Sequence, residues 1–242
     1  MRARVRHAVG GNRESGFTLT EMLVSAIVIA LISAMVSTVI ITTVRQTQVT
    51  ATRNTQGNQA RVAMEAISKA LRLTVVPIEV SDNCTLCTNA FIQGTGSSVS
   101  FFADINNPAP GNVGPSEVVF AVDASGVLTE TLQPPDANSV GSGNFQWTGA
   151  NVPTCTPGAI GCLKKVSFLA SGVKTSTTPL FTYYAYGTTT PLTTIGPADL
   201  SSIDSIDVQI TVQLPNRPAV APTVLVERLA LSNVDVYVQA QS

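Results

Sequence analysis

Residues 22–44 form an unbroken run of 23 positions with no charge and no polar side chain other than Ser and Thr. As a helix the run reaches roughly 34 Å, enough to cross a hydrocarbon layer of ~30 Å. Within residues 1–16, ahead of the run, Arg2, Arg4, Arg6 and Arg13 stand against one acid, Glu14, and basic residues are sparser beyond the run. That asymmetry predicts a single span with the N-terminus in the cytoplasm and everything after Arg45 outside. A secretory signal starts in the same way, but its apolar stretch is about 7–15 residues and ends in a small-x-small site. Here the run is longer and ends Ile-Ile-Thr-Thr-Val-Arg, so the segment is expected to be kept. A plain anchor leaves Glu21 unexplained, because an ionisable group at the head of an apolar span is costly and marks a functional position by default.

Helical periodicity continues past the apolar run. Val49, Thr52, Gln56, Ala60, Ala63, Met64, Ile67, Ala70, Leu71 and Val75 recur at spacings of three and four, Thr52 and Gln56 being polar lapses. Glu65 and Lys69 form an i, i+4 pair on the other side. No Pro occurs between residue 17 and Pro77, so one helix of about 58 residues is expected, its outer half lying by an apolar stripe against a globular head.

Beyond Pro77 the period changes to two. Residues 98–105, 117–123, 127–133, 164–170, 180–186, 203–214 and 223–238 read as strands, with Ala124-Ser-Gly126 as a hairpin turn. Ile206, Val208, Ile210, Val212 and Leu214 alternate with polar residues, which predicts one buried face. Pro- and Gly-rich tracts at 106–115, 134–161 and 187–198 are loops. The fold class is therefore α+β, a long N-terminal helix packed on an antiparallel β-sheet head. Four segments follow: 1–16 as leader, 17–44 as membrane span, 45–76 as amphipathic helix, and 77–242 as head.

Charge narrows the function. Only 12% of residues are charged. Residues 77–242 hold five bases and twelve acids, a net of −7. An acidic head lacks the clustered Lys and Arg that displace counterions from nucleic-acid phosphates, so nucleic acid is an unfavoured partner.

At Gly16-Phe17-Thr18-Leu19-Thr20-Glu21 the chain resembles the cleavage and methylation site of type IV prepilins and type II secretion pseudopilins. The shared features are a basic leader, Gly before the cut, Phe after it, Glu four residues on and an uncharged apolar run. That resemblance implies a pilin-like fold and cleavage by prepilin peptidase between Gly16 and Phe17. It also implies N-methylation of Phe17 and assembly with other pilins or pseudopilins, from the inner or cytoplasmic membrane into a filament. The stretch Arg61-Val-Ala-Met-Glu-Ala-Ile-Ser-Lys-Ala-Leu-Arg72, the hairpin at Asp123-Ala-Ser-Gly126 and Phe181-Thr-Tyr-Tyr-Ala-Tyr-Gly187 resemble J-type minor pseudopilins and W-type minor pilins. Many major pilins carry Pro near mid-membrane, where Thr38 stands here. After cleavage the Phe17 ammonium would be the natural partner of the Glu21 carboxylate, on the same chain or a neighbour; the alternative is that Glu21 only caps the helix. A membrane-tethered binding module outside any filament is the competing class.

The cysteines are Cys84, Cys87, Cys155 and Cys162, all on the expected outer side. An even count there favours disulfides. Local pairs, Cys84 with Cys87 and Cys155 with Cys162, are preferred, with a crossed arrangement open. A four-thiolate zinc site fits the wide spacing of the second pair poorly. His7 is the only histidine and falls in the leader, so no Ser-His-Asp or Cys-His nucleophile is expected after processing. Asp199, Asp204 and Asp207 match no known calcium loop, and of Tyr183, Tyr184 and Tyr186 one or two should pack into the sheet. No enzymatic activity, cofactor or metal is expected.

Overall fold

The structure is a computed structural model that describes residue 16 and residues 18–80, 89–105, 114–135, 145, 147, 164–192, 195–215 and 219–231. Two compact units are present, Met1–Val49 and Thr50–Ser242. The long helix α1 (Leu19–Arg72) contributes to both.

In the first unit every described residue is exposed. Its hydroxyl side chains bond backbone carbonyls one turn back: Ser37 donates to Ser33 O at 2.7 Å, Thr43 to Val39 O at 2.8 Å and Thr47 to Thr43 O at 2.9 Å. These bonds satisfy the hydroxyls within the helix, so Ser and Thr do not forbid an apolar environment. This helix is long and apolar enough to cross a membrane.

In the second unit the last turns of α1 bury Thr52, Gln56, Ala60, Ala63, Met64, Ile67, Ser68, Ala70 and Leu71, the stripe expected from the spacing except at its ends, where Val49 is exposed and Val75 is half-buried beyond the helix. A buried Ile or Leu contributes roughly 1.5–3 kcal/mol, so Ile67 and Leu71 anchor the stripe. The two polar lapses are inside it. Gln56 is fully buried, and with its amide oriented to satisfy both ends it donates to Ala221 O at 3.2 Å and accepts from Leu214 N–H at 3.3 Å. Gln59 Oε1 accepts from Ser171 N–H at 3.2 Å. Replacing Gln56 with Leu would remove the partner of the Leu214 N–H, on a half-buried residue, and of the Ala221 carbonyl, on an exposed one. We expect it to lower unfolding free energy by about 1 kcal/mol, measured by denaturant unfolding of the purified chain.

The helix ends at Arg72, four residues before the expected 76. Strand-like pairing outcompetes the helix there: Val75 N–H donates to Phe102 O at 3.0 Å, Asp104 N–H donates to Leu73 O at 2.9 Å, and Thr74 bridges Ala103. Pro77 therefore opens a short helix α2 (Pro77–Val80) rather than closing α1, a position that suits its missing N–H.

Eight strands follow among the described residues: β1 (Phe91–Gly94), β2 (Ser98–Ala103), β3 (Ser116–Val122), β4 (Leu128–Gln133), β5 (Lys165–Ala170), β6 (Phe181–Ala185), β7 (Ile203–Val212) and β8 (Thr223–Ala230). They form a five-stranded sheet, β1-β2-β3-β4-β5, and a three-stranded sheet, β6-β7-β8, every neighbouring pair antiparallel. This is the α+β, pilin-like architecture expected, with the head's strands divided between two sheets. The β3–β4 turn is built by Asp123, whose Oδ1 accepts from the N–H groups of Ser125 and Val127, both at 2.8 Å. Gly126 closes the turn at φ +77°, a conformation natural only to glycine.

The core joins the buried stripe of α1 to Phe91, Phe101, Phe120, Leu128, Phe181, Ile206 and Ile210. Ile206, Val208, Ile210 and Val212 are buried in β7 as their alternation requires. Residues 232–238, read as the end of the last strand, lie outside the described residues.

Candidate processing and assembly site

Gly16 is exposed, and a methyl group added there would meet nothing within 4 Å. Its φ is not in the left-handed range either, so the fold places no demand for glycine at this position. Thr18 starts the helix. Its Oγ1 accepts from Glu21 N–H at 3.3 Å, and its carbonyl accepts from Glu21 N–H at 3.0 Å and Met22 N–H at 3.1 Å. Thr18-Leu19-Thr20-Glu21 thus has the sequence of a capping box, with the hydroxyl half of the box formed.

Since Thr18 supplies the cap, the Glu21 carboxylate is left over. It is exposed and has no hydrogen bond or ion pair among the described residues. The only charge between Leu19 and Val44 therefore sits at the positive end of a helix dipole, one turn from position 17. Phe17, and with it Cys84, Cys87, Cys155 and Cys162, lie outside the described residues.

The remaining candidates from the sequence are held in structural roles. The Asp207 carboxylate takes a two-pronged ion pair from Arg228, at 2.5 Å and 2.7 Å, and a hydrogen bond from the Tyr184 hydroxyl at 3.0 Å. The Arg228 guanidinium stacks 4.2 Å from the Tyr184 ring centre. Asp199 accepts from Gly196 N–H at 2.9 Å, and the described residues contain no cluster of His, Cys, Asp and Glu that could hold a metal. Tyr183 and Tyr184 are buried and Tyr186 is exposed, so two of the three pack inward. The Tyr183 hydroxyl lies 3.0 Å from Thr95 O and 3.1 Å from Ser98 O. Burial pushes that phenol up, against the opposing effect of its bond to Thr95, and it stays neutral.

Two carboxylates in the head respond to pH in opposite senses. Arg228, first by its hydrogen bonds, holds Asp207 below the usual carboxylate range, with Tyr184 adding to the effect. Its contribution is present above the unfolded pKa and lost as pH falls through the folded one. Glu130 on β4 lies opposite Phe120 and Ser167. Burial raises its pKa despite the attraction of Lys165 and Lys69, so its ionised form costs stability above the folded pKa and the cost disappears in acid. Asp207→Asn is expected to lower the thermal midpoint at pH 7 but not in strong acid. Glu130→Gln is expected to raise it at pH 7, and thermal melts across pH check both.

A family model described as the prokaryotic N-terminal methylation motif matches residues 11–37. Gly16, the Thr18 cap, the unpartnered Glu21 and most of the exposed apolar helix lie within that stretch. The chain carries the type IV prepilin and pseudopilin signal. That signal supports a type IV pilin-like or pseudopilin precursor, and the motif implies processing by prepilin peptidase and assembly with other pilins. No curated protein matches the chain.

Proposed function

We propose that the chain is a minor pilin or pseudopilin, a structural subunit rather than an enzyme. It is cut between Gly16 and Phe17, methylated on Phe17 and held in the inner or cytoplasmic membrane by residues 17–44 with its head outside. Assembly then extracts it into a type IV pilus or a type II secretion pseudopilus. The observation that carries this reading is that the apolar first half of α1 is exposed along its length and bears one carboxylate without a partner among the described residues. Such a surface needs either lipid or a bundle of like helices around it, and within a bundle the carboxylate needs a cation. The new ammonium of Phe17 is that cation, on a neighbouring subunit, and the pairing sets axial register.

Removing 16 residues from 242 leaves 226, and the bulk of the head supports a subunit used sparingly, near the tip. Likeness of the Arg61–Arg72 stretch and of the Phe181–Gly187 stretch to J-type and W-type subunits supports the same reading. Quantitative mass spectrometry of sheared filaments tests it: this chain should be far less abundant than the repeating subunit. Finding it as the most abundant component along the filament would refute the minor role.

A further inference from the structure

Strand β8 is paired to the very start of its neighbour: Ala230 stands opposite Ser205, and Leu231 N–H still donates to Asp204 O at 2.9 Å. Because β7 begins at Ile203, it offers the chain one more residue of pairing past Leu231 and then nothing. The opposite edge of β8 is the nearest alternative, and no strand pairs with it among the described residues. β8 is regular, pairing β7 in eight consecutive registers without a bulge, and contains no Pro or Lys. Such an edge is a template for a further strand unless charge guards it. Both charges of β8 are turned elsewhere. Glu227 accepts from Ser68 Oγ at 2.8 Å and from Arg72 Nη2 at 3.1 Å, and Arg228 is tied to Asp207 and stacked on Tyr184.

Alternation fixes what faces that edge. Since the Leu231 N–H points to β7, so do those of Leu229, Glu227 and Leu225, while those of Val224, Val226, Arg228 and Ala230 point away from it. The side chains divide in the same way. Leu225, Glu227 and Leu229 lie on the helix side, where a groove of about 630 Å³ is walled by Met64, Leu73 and Leu225. Val224 and Val226 are 46% and 64% exposed on the other side.

Past Leu231 the sequence reads Ser232-Asn233-Val234-Asp235-Val236-Tyr237-Val238-Gln239-Ala240. Ser-Asn is turn chemistry, and the Val and Ala that follow alternate with Asp, Tyr and Gln, the pattern of a strand with one buried face. We propose that residues 235–240 turn back along β8 as its antiparallel neighbour, closing the edge and filling the groove. A four-residue connection, 231–234, puts Asp235 opposite Ala230, Tyr237 opposite Arg228 and Gln239 opposite Val226, on the N–H groups that point away from β7. In that register Val236, Val238 and Ala240 stand opposite Leu229, Glu227 and Leu225 and face the groove. Asp235, Tyr237 and Gln239 stay on the solvent side. A slip of one residue would exchange the two sets and bring Asp235 against the helix. The partner of this surface is therefore the chain's own tail, and the closure holds whether or not the chain enters a filament.

The test places a diazirine amino acid at position 226 of the full-length chain, irradiates cells, and maps the crosslink by mass spectrometry. The expected crosslink joins residue 226 to residues 237–241 and keeps the mobility of a single chain on a denaturing gel. Thermal melts of the purified full-length chain supply the second readout. Val236→Asp and Val238→Asp put a charge into the groove and are each expected to lower the midpoint by at least about 5 °C, whereas Gln239→Asp, on the solvent side, leaves it nearly unchanged. A crosslink to another polypeptide or to a second copy, or no crosslink to the tail, overturns the proposal. Equal midpoints for Val236→Asp, Val238→Asp and Gln239→Asp overturn it as well.

Discussion

Replacing Gly16 with Leu is expected to leave essentially all of the chain uncut, still carrying residues 1–16 and retained in the membrane. The expectation is unusually clean because the fold is indifferent to the change. Nothing lies within 4 Å of a methyl group at Gly16 and its backbone is not left-handed, so neither clash nor strain arises. A loss of processing would therefore report on what the peptidase requires at the cut. Immunoblotting for the longer precursor, with Gly57→Ala as a control, reads it out directly. Gly57 sits within α1 and is equally open to a methyl group, but it is far from the cut, and its variant should be processed as wild type.

The second large effect is expected at Glu21. Glu21→Ala should be cleaved normally and should retain a folded head, yet incorporation into filaments should fall by at least tenfold. The helix start does not depend on the side chain, because the cap is made by Thr18 to the backbone of Glu21 and Met22. What the substitution removes is a carboxylate without a partner among the described residues, which would otherwise meet an ammonium inside an apolar bundle. Breaking one side of such a pair leaves a buried, uncompensated charge on the other, a cost of about 3–5 kcal/mol. Glu21→Gln keeps shape and polarity but not charge, and it should show nearly the same defect. Normal incorporation of both variants would mean that register is set by packing alone. Sheared-filament yield normalised to membrane-held mature chain measures the effect.

The elements most legible in the sequence were those in which one physical signal dominated. The stripe from Thr52 to Leu71 is buried as its spacing implies, including Gln56, whose polarity looked like a lapse and is instead a tether between the helix and the backbone at residues 214 and 221. The turn at Asp123-Ala-Ser-Gly126 combines an Asx bond with a left-handed glycine, and both residues announce themselves. Where two local preferences competed, tertiary pairing chose. Thr74 and Val75 could have extended the helix to Pro77, but their backbone pairs with residues 102–104 instead.

β1 was not anticipated. It has four residues, its burial does not alternate, and its register slips between Phe91 and Gln93, so no period-two signal exists to be read. Division of the strands into two sheets was equally hidden, since alternation shows which face is buried but not which strand lies beside which. At the site, Glu21 was legible because an acid at the head of an apolar run is an anomaly, whereas Gly16 was legible only through the resemblance of Gly16–Glu21 to a cleavage motif. Thr18 was read only as part of a motif. Its capping role needed the hydrogen-bond geometry, although Thr-x-x-Glu ahead of an apolar helix was a signal that could have found it.

The most direct test of the account is the N-terminal peptide of the wild-type chain recovered from sheared filaments, read by mass spectrometry. The account predicts a chain that begins at Phe17 and is one methyl group heavier than the unmodified residue. A chain in those filaments that keeps residues 1–16, or one that starts beyond residue 44 after loss of the apolar helix, would contradict it.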